Sequence, residues 1–495
     1  MKTKIIAIDQ STSATKAMLF DENCRLLSRV NVAHEQIYPR AGWVEHDPEE
    51  IFRNTIEAIR TLMASEDRTD TQYSLAITNQ RETVLVWNKI TGKPVYNAVV
   101  WQCLRGTEIC DNLRDGGFNR LVQERSGLLL DPYFSASGVK WILDNVEGAR
   151  ELADKGELLM GTIDSWLIWK LTGGRVHATD YTNASRTMLF NIHTLEWDPD
   201  LLDLFTIPAS MMPEARPCDS VFGTTTIEDL FETPIEIAGV LGDSHGALVG
   251  QMCFEPGLGK ATYGTGSSVM INIGNAPLDP PEGLVTSVGF SALGKTFYAF
   301  EGNIHCTGAT IKWLVEKLEL IGSPAEIEAY ATSVPDTGGV YFVPAFAGLG
   351  APWWKPDAKA MIEGMTLGTT KAQVLRSALE AIAYQIKDLV DMMAGKAGVE
   401  VKELRVDGGP TKNKFLMQFQ ADMLRSRISI SDIEEASALG AVVMNGLARK
   451  VWPDFEAVAA LRKSKGEVSP DMAPEEVARL YAGWRRAVKL LTDND

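Results

Sequence analysis

Lys4-Ile5-Ile6-Ala7-Ile8-Asp9-Gln10-Ser11-Thr12-Ser13-Ala14-Thr15-Lys16-Ala17-Met18-Leu19-Phe20 opens the chain, and its character changes twice within seventeen residues. Lys4–Ile8 is apolar and largely β-branched, which predicts a buried strand. Gln10–Thr15 is small and polar, a turn, and Lys16–Phe20 reads as a second strand. Asp21-Glu22-Asn23 turns the chain into a third strand over Arg25–Val32. A carboxylate, Asp9, thus stands where a buried strand runs into a turn of hydroxyls and free amides.

A similar plan returns in the second half. Lys260–Tyr263 is strand-like, Gly264-Thr265-Gly266-Ser267 is a tight turn, and Ser268–Ile273, Leu284–Phe290 and Thr296–Phe300 read as strands. The two stretches share little identity, but the repeated order leads to the expectation of a duplicated strand–turn–strand domain. Helices are predicted from the Asp47 cap with Pro48 at the first helical position, and near Gly308–Leu318, Lys371–Ala394 and Ser469–Leu491. Ser74–Thr78 and Thr83–Asn88 are two further strands, so the class is α/β. At 495 residues the chain exceeds what one core holds, and two domains are expected. The boundary is expected near Gly239–Gly257, where the run Gly239–Gly246 combines glycines with polar side chains, and divides residues 1–248 from 249–495.

The formal charge of -17 repels polyanions, so nucleic acid is a poor partner, although a small phosphorylated ligand is not excluded. Six scattered cysteines suit a reducing, cytoplasmic setting. The apolar run Ile5–Ile8 is shorter than a signal-peptide core, and no apolar run is long enough for a membrane span.

Five segments carry chemistry, each with a plainer structural alternative. Asp9 can hold a divalent cation, and the turn Ser11-Thr12-Ser13 with Lys16 can donate to phosphate oxygens; a ligand-free hairpin reads the same. Gly264-Thr265-Gly266 permits close backbone approach or is a plain turn. Val406-Asp407-Gly408-Gly409 ends a strand before a helix starting near Asn413, a layout that suits a nucleotide. Gly242-Asp243-Ser244-His245-Gly246 offers a general base or a helix-capping aspartate. Arg81 and Glu82, with Trp101 and Tyr133, make a polyol pocket or a buried ion pair beneath aromatics. The histidines form no zinc cluster, and no strand–GxGxxG–helix unit supports a dehydrogenase.

These segments, with Gly42-Trp43-Val44-Glu45-His46-Asp47-Pro48, Asp180-Tyr181-Thr182-Asn183-Ala184-Ser185-Arg186 and Arg405-Val406-Asp407-Gly408-Gly409, resemble the FGGY carbohydrate kinases over about residues 1–455. The resemblance implies two actin-like, ribonuclease H-like domains closing on an interdomain active-site cleft. It implies transfer of a phosphoryl group from ATP, with Mg²⁺, to a polyol or sugar hydroxyl. Asp243 matches the general base, and Asp9 the residue beside metal and phosphates; both are the expected metal contacts. Ser11, Thr12, Ser13, Lys16, Gly264, Thr265, Gly308, Lys312, Gly409 and Asn413 match the nucleotide side. Arg81, Glu82, Trp101 and Tyr133 match the acceptor side and imply glycerol first. A homodimer or homotetramer is implied.

The chain also departs from the family's glycerol-phosphorylating members. Ser244 and His245 replace two glutamines, Ser268 replaces a bulky residue, Ser11 a glycine and Lys16 an arginine. Ser244, His245 and Ser268 are therefore expected at the substrate, and another polyol or a ketose, such as erythritol or xylulose, is the second expectation. A non-catalytic sugar sensor is the alternative of another class; intact Asp9 and Asp243 favour the enzyme. Acidic Glu228, Asp229 and Glu232 are expected to repel a bisphosphate at Thr226–Pro234, where some family members take a regulator. The acidic segment Asp432–Glu435 reads as a solvated turn.

Overall fold

A computed structural model describes residues 2–227, 230–231, 233–433 and 435–492. Glu228, Asp229, Glu232 and Glu434 lie outside the described residues. The opening run forms the predicted meander: Lys2–Gln10, Ala14–Asp21 and Leu26–Ala33 are adjacent antiparallel strands. Thr71–Asn79 then pairs parallel to Lys2–Gln10, and Glu236–Gly242 pairs parallel to Thr71–Asn79. Val221–Thr224 closes the edge of this six-stranded sheet.

The second half repeats the arrangement. Lys295–Ile304, Ser267–Gly274 and Leu258–Tyr263 lie side by side antiparallel, and Glu403–Gly408 and Arg427–Ser431 continue the sheet in parallel. Val285–Ala292 and Ser464–Val468 form the edges of this seven-stranded sheet. In both sheets the first strand is central, with its hairpin partner on one side and parallel strands on the other. All the parallel strands end at the same edge of their sheet, so the loops there can converge on one ligand.

Strand alternation decides what covers each face. Ile6 and Ile8 pack with Ile51, Ile59 and Leu62 of the helix Pro48–Ala64, which Asp47 caps as predicted through a 2.9 Å bond from the Glu49 amide. Ile5 and Ala7 face the other way and pack with Leu241, Leu248 and residues of the helix Ala436–Ala448. That helix comes late in sequence yet anchors in the first sheet: Asn445 Nδ2 donates to the carbonyls of Leu75 and Ala238 at 3.0 and 2.8 Å. It crosses the helix Asp243–Gly250 backbone against backbone. A Cβ on Gly440 would lie 2.0 Å from the Gly246 carbonyl oxygen, so only glycine permits the crossing. This crossing ties the late helix Ala436–Ala448 to the first half of the chain.

Val84–Asn88 does not extend the first sheet, as a sequence-adjacent strand might; it joins Leu158–Thr162, Ala98–Val99 and Glu45–His46 in a separate four-stranded sheet. The intervening Gln80–Thr83 redirects the chain, with Glu82 at φ +63°. Among the described residues no helix is long and apolar enough to cross a membrane.

Candidate active site

Asp9 is the penultimate residue of the central strand and pairs across the hairpin with Lys16. Its carboxylate is buried, with Lys16 Nζ 3.6 Å from Oδ2. The same ammonium lies 2.8 Å from Glu435, which comes from the other half of the chain. Burial pushes Asp9 up to about 6; the Lys16 charge opposes that shift, and the Asp243 and Glu435 carboxylates add to it. The turn that follows is braced. The Ser11 amide and hydroxyl both donate to the Ala14 carbonyl, each at 2.9 Å. Trp101 Nε1 donates to the Thr12 hydroxyl at 3.0 Å, and the Ser13 carbonyl accepts from the His34 amide. Ser13 itself is exposed.

Asp243 begins the helix Asp243–Gly250, directly after a strand of the first sheet. Its side chain is 39% exposed, and Arg81 Nε sits 3.2 Å from Oδ1. Arg81 can cross there because the residue before Asp243 is Gly242, whose added Cβ would lie 2.5 Å from Arg81 Cγ. The two terminal nitrogens of Arg81 donate to Glu301, each at 2.8 Å, a bidentate fork. Arg186 Nε donates to Glu82 at 2.6 Å, and Arg186 Nη1 lies 3.0 Å from Glu301. Burial raises the Glu82 carboxyl despite both arginines. Arg186 and Arg81 hold Glu301 well below the usual carboxylate range against its burial. Trp101 and Tyr133 meet edge to face at 5.5 Å beside this lattice. A rigid set of charged donors and acceptors next to an aromatic wall recognises hydroxyls and covers a short carbon chain.

His245 differs from its expected place. Its side chain is fully buried, with Nε2 2.9 Å from the Ser287 hydroxyl, so it lies beneath the charged lattice and not at its open surface. Burial drives its pKa well down, and the nearby Arg81 charge adds to that. The helix turns position 245 inward while Asp243 and Ser244 stay partly accessible. Ser268 is also partly accessible, and its hydroxyl accepts from Lys260 Nζ at 3.2 Å.

The nucleotide candidates of the second half converge on one cavity of about 870 Å³. Gly264, Thr265, Gly308, Lys312, Gly409 and Asn413 all line it. Its turns require glycine. A Cβ on Gly308 would lie 2.5 Å from the Gly264 carbonyl oxygen, and Gly408, at φ +102°, would place one 2.0 Å from that of Tyr263. Asn413 caps the helix Lys414–Leu424 by accepting from the Leu416 amide at 2.9 Å. Ile311, Trp313 and Ile327 supply apolar walls. Glycine-edged backbone on one side and apolar surface on the other suit phosphates and a flat base. Ser11, Thr12, Ser13 and Lys16 do not line this cavity; they belong to the Asp9 side of the cleft.

The Asp243 carboxylate adds to the rise that burial imposes on Asp9 and the Lys16 ammonium opposes it, so a divalent cation beside the two carboxylates would favour the ionised form of Asp9. Among the described residues no cluster of three or more His, Cys, Asp or Glu could cage a metal, and Mg²⁺ typically takes one or two carboxylates, waters and substrate phosphates.

Three members of the site escaped the sequence reading: Glu301, Lys260 and Glu435. The available signal for the first two was a charge inside an otherwise apolar strand run, Phe297–Glu301 and Leu258–Tyr263.

The sequence profile described as the FGGY family of carbohydrate kinases, N-terminal domain, matches residues 4–250, and its C-terminal counterpart matches residues 259–449. Glycerol kinase 2 of Thermotoga maritima is 49% identical over 485 residues, covering 98% of each chain. Glycerol kinase 1 of the same organism is 50% identical over 491 residues, 99% of this chain and all of the other. A crystal structure of Plasmodium falciparum glycerol kinase with ADP superposes with a TM-score of 0.95 at 37% identity, covering 99% of this chain and 98% of that one.

Proposed function

The chain belongs to the FGGY family of carbohydrate kinases, and from that premise we propose that it phosphorylates glycerol to glycerol 3-phosphate with ATP, using Asp243 as general base. The acceptor lies against Arg81, Glu82, Trp101 and Tyr133, with one hydroxyl toward Asp243. The nucleotide lies in the glycine-edged cavity, its phosphates toward Asp9, Thr12 and Lys16. As the acceptor oxygen bonds to the γ-phosphorus, its proton passes to the Asp243 carboxylate. The bond from that phosphorus to the β-bridging oxygen breaks, and ADP leaves. Asp9 and Asp243 would hold Mg²⁺, which would neutralise charge on the phosphate oxygens. Arg81 fixes the aim of Asp243, and its fork to Glu301 keeps the guanidinium from swinging away.

One observation carries this reading: a partly exposed Asp243, oriented by a buried arginine, stands near enough to Asp9 for its charge to raise that buried carboxyl. ATP turnover measured with and without glycerol, dihydroxyacetone, erythritol, ribitol and xylulose tests it. Acceptor-dependent ADP release, strongest with glycerol, is the expected result. ADP release that no acceptor stimulates contradicts it.

A further inference from the structure

The short helix Tyr181–Ala184 is built around one carboxylate that the chemistry above does not use. Asp180 precedes it and is fully buried. Its Oδ2 accepts from the Thr182 amide at 2.7 Å, the Thr182 hydroxyl at 2.6 Å and Cys218 Sγ at 3.2 Å. Its Oδ1 accepts from the Asn183 amide at 3.1 Å and from Asn183 Nδ2 at 2.8 Å. Burial raises this carboxyl, and the donors around it oppose the rise.

This capped turn holds the two strand ends that launch the base and its arginine. The Thr182 hydroxyl spends its proton on Asp180, so its oxygen is left to accept, and the Gly242 amide donates to it at 2.9 Å. Asn183 and Asn79 exchange side-chain amide bonds at 3.0 and 3.1 Å. Gly242 and Asn79 are in register, the last residues of adjacent parallel strands. Asp243 follows Gly242 directly, and Arg81 stands just beyond Asn79. Asn79, Asp180, Thr182 and Asn183 are all fully buried. A buried amide left without an acceptor is costly, so the Gly242 backbone is held where the Thr182 oxygen lies.

We propose that Asp180 and Thr182 are positioning residues for phosphoryl transfer: the Asp180 carboxylate orients the Thr182 hydroxyl, and that oxygen fixes the Gly242 amide and with it the aim of Asp243. Arg81 steadies the Asp243 side chain from the acceptor side. Thr182 steadies the backbone from which that side chain springs. Neither Asp180 nor Thr182 touches substrate. The inference rests on the reading of Asp243 as the base and deepens it by naming what sets the position of that base. Displacing a base by about 1 Å costs on the order of 10² in rate. The loss falls on kcat and not on binding, because Arg81 is anchored separately through Glu301 and through the Asn79–Asn183 pair.

Steady-state kinetics of the full chain with glycerol and ATP test this. Thr182→Val keeps the shape of the side chain and removes the hydroxyl. Its kcat falls about 10- to 100-fold, while the KM values for glycerol and ATP stay within about threefold. Thr182→Ser, which keeps the hydroxyl, brings kcat back to within about threefold of wild type. Added to Asp243→Asn, Thr182→Val costs less than about threefold more, because the base it aims is already gone. If Thr182→Val does not fold, Thr182→Ala, which removes the same hydroxyl from a smaller side chain, is read by the same criteria. Asp180→Asn, which keeps the shape but not the full accepting capacity, lowers kcat in the same pattern. A hydroxyl-free variant with kcat within about threefold of wild type overturns the assignment. So does a full further loss on the Asp243→Asn background, or a rise confined to KM. In each of those cases an active wild-type chain leaves the kinase reading standing. A wild-type chain that transfers to no polyol overturns the kinase reading itself, and this assignment with it.

Discussion

Arg81 Nε lies 3.2 Å from Asp243 while both terminal nitrogens of the same guanidinium bond Glu301, so the proposed base is aimed by a residue anchored in the opposite half of the chain. Removing Arg81 leaves Glu301 with one arginine fewer and Glu82 still buried. Arg81→Met should destabilise the fold by about 3–5 kcal/mol, as loss of one partner from a buried ion pair does. Urea unfolding checks this. Arg81→Lys keeps the charge but not the fork, and should raise the polyol KM while lowering the unfolding midpoint less than Arg81→Met does.

The second prediction concerns pH. Asp9 sits at about 6 in the folded chain against the ordinary aspartate value of 3.8 in the unfolded one. Between those values the native state holds more protons than the unfolded one, so this group's contribution to stability falls as pH rises through that window. Function runs the other way, because the ionised carboxylate is what a cation needs. Activation of ATP turnover by Mg²⁺ should strengthen with a midpoint near pH 6 and level off about one unit above it. Lys16 lowers the Asp9 value, so Lys16→Met should move the midpoint to higher pH. A flat profile, or a shift to lower pH, contradicts this assignment.

Adjacent glycines should respond differently. A methyl on Gly408 meets the Tyr263 carbonyl oxygen at 2.0 Å with φ at +102°, whereas a methyl on Gly409, which lines the 870 Å³ cavity, meets nothing within 4 Å. Gly408→Ala should lower stability by about 1–3 kcal/mol or more. Gly409→Ala should leave the melting temperature unchanged and raise the KM for ATP several-fold. Thermal melts and ATP titrations of the two variants separate these outcomes.

Much of the architecture was legible in the residues. The Asp47-Pro48 helix start, the opening hairpin and the glycine turns of the cavity each obey local rules that need no distant partner. What escaped prediction depends on contacts between the halves. Glu301 and Lys260 read as isolated charges within apolar strands until Arg81 and Asp243 are brought against them. Glu435 lies 419 residues from Lys16 and gains meaning only when the two halves close. His245 follows Asp243 and Ser244 closely enough to suggest the same surface, but the helix starting at Asp243 rotates it into the interior. Val84–Asn88 is a strand as predicted; its sheet was not legible, because the turn with Glu82 at positive φ redirects it.

The most direct measurement is phosphoryl transfer by Asp243→Asn. That change keeps the shape of the side chain and removes its capacity to take a proton. With the base role as described, kcat for glycerol phosphorylation falls by about 10²–10⁴ while the KM for glycerol stays within a few-fold. A variant that still transfers within about threefold of the wild-type rate contradicts the role assigned to Asp243.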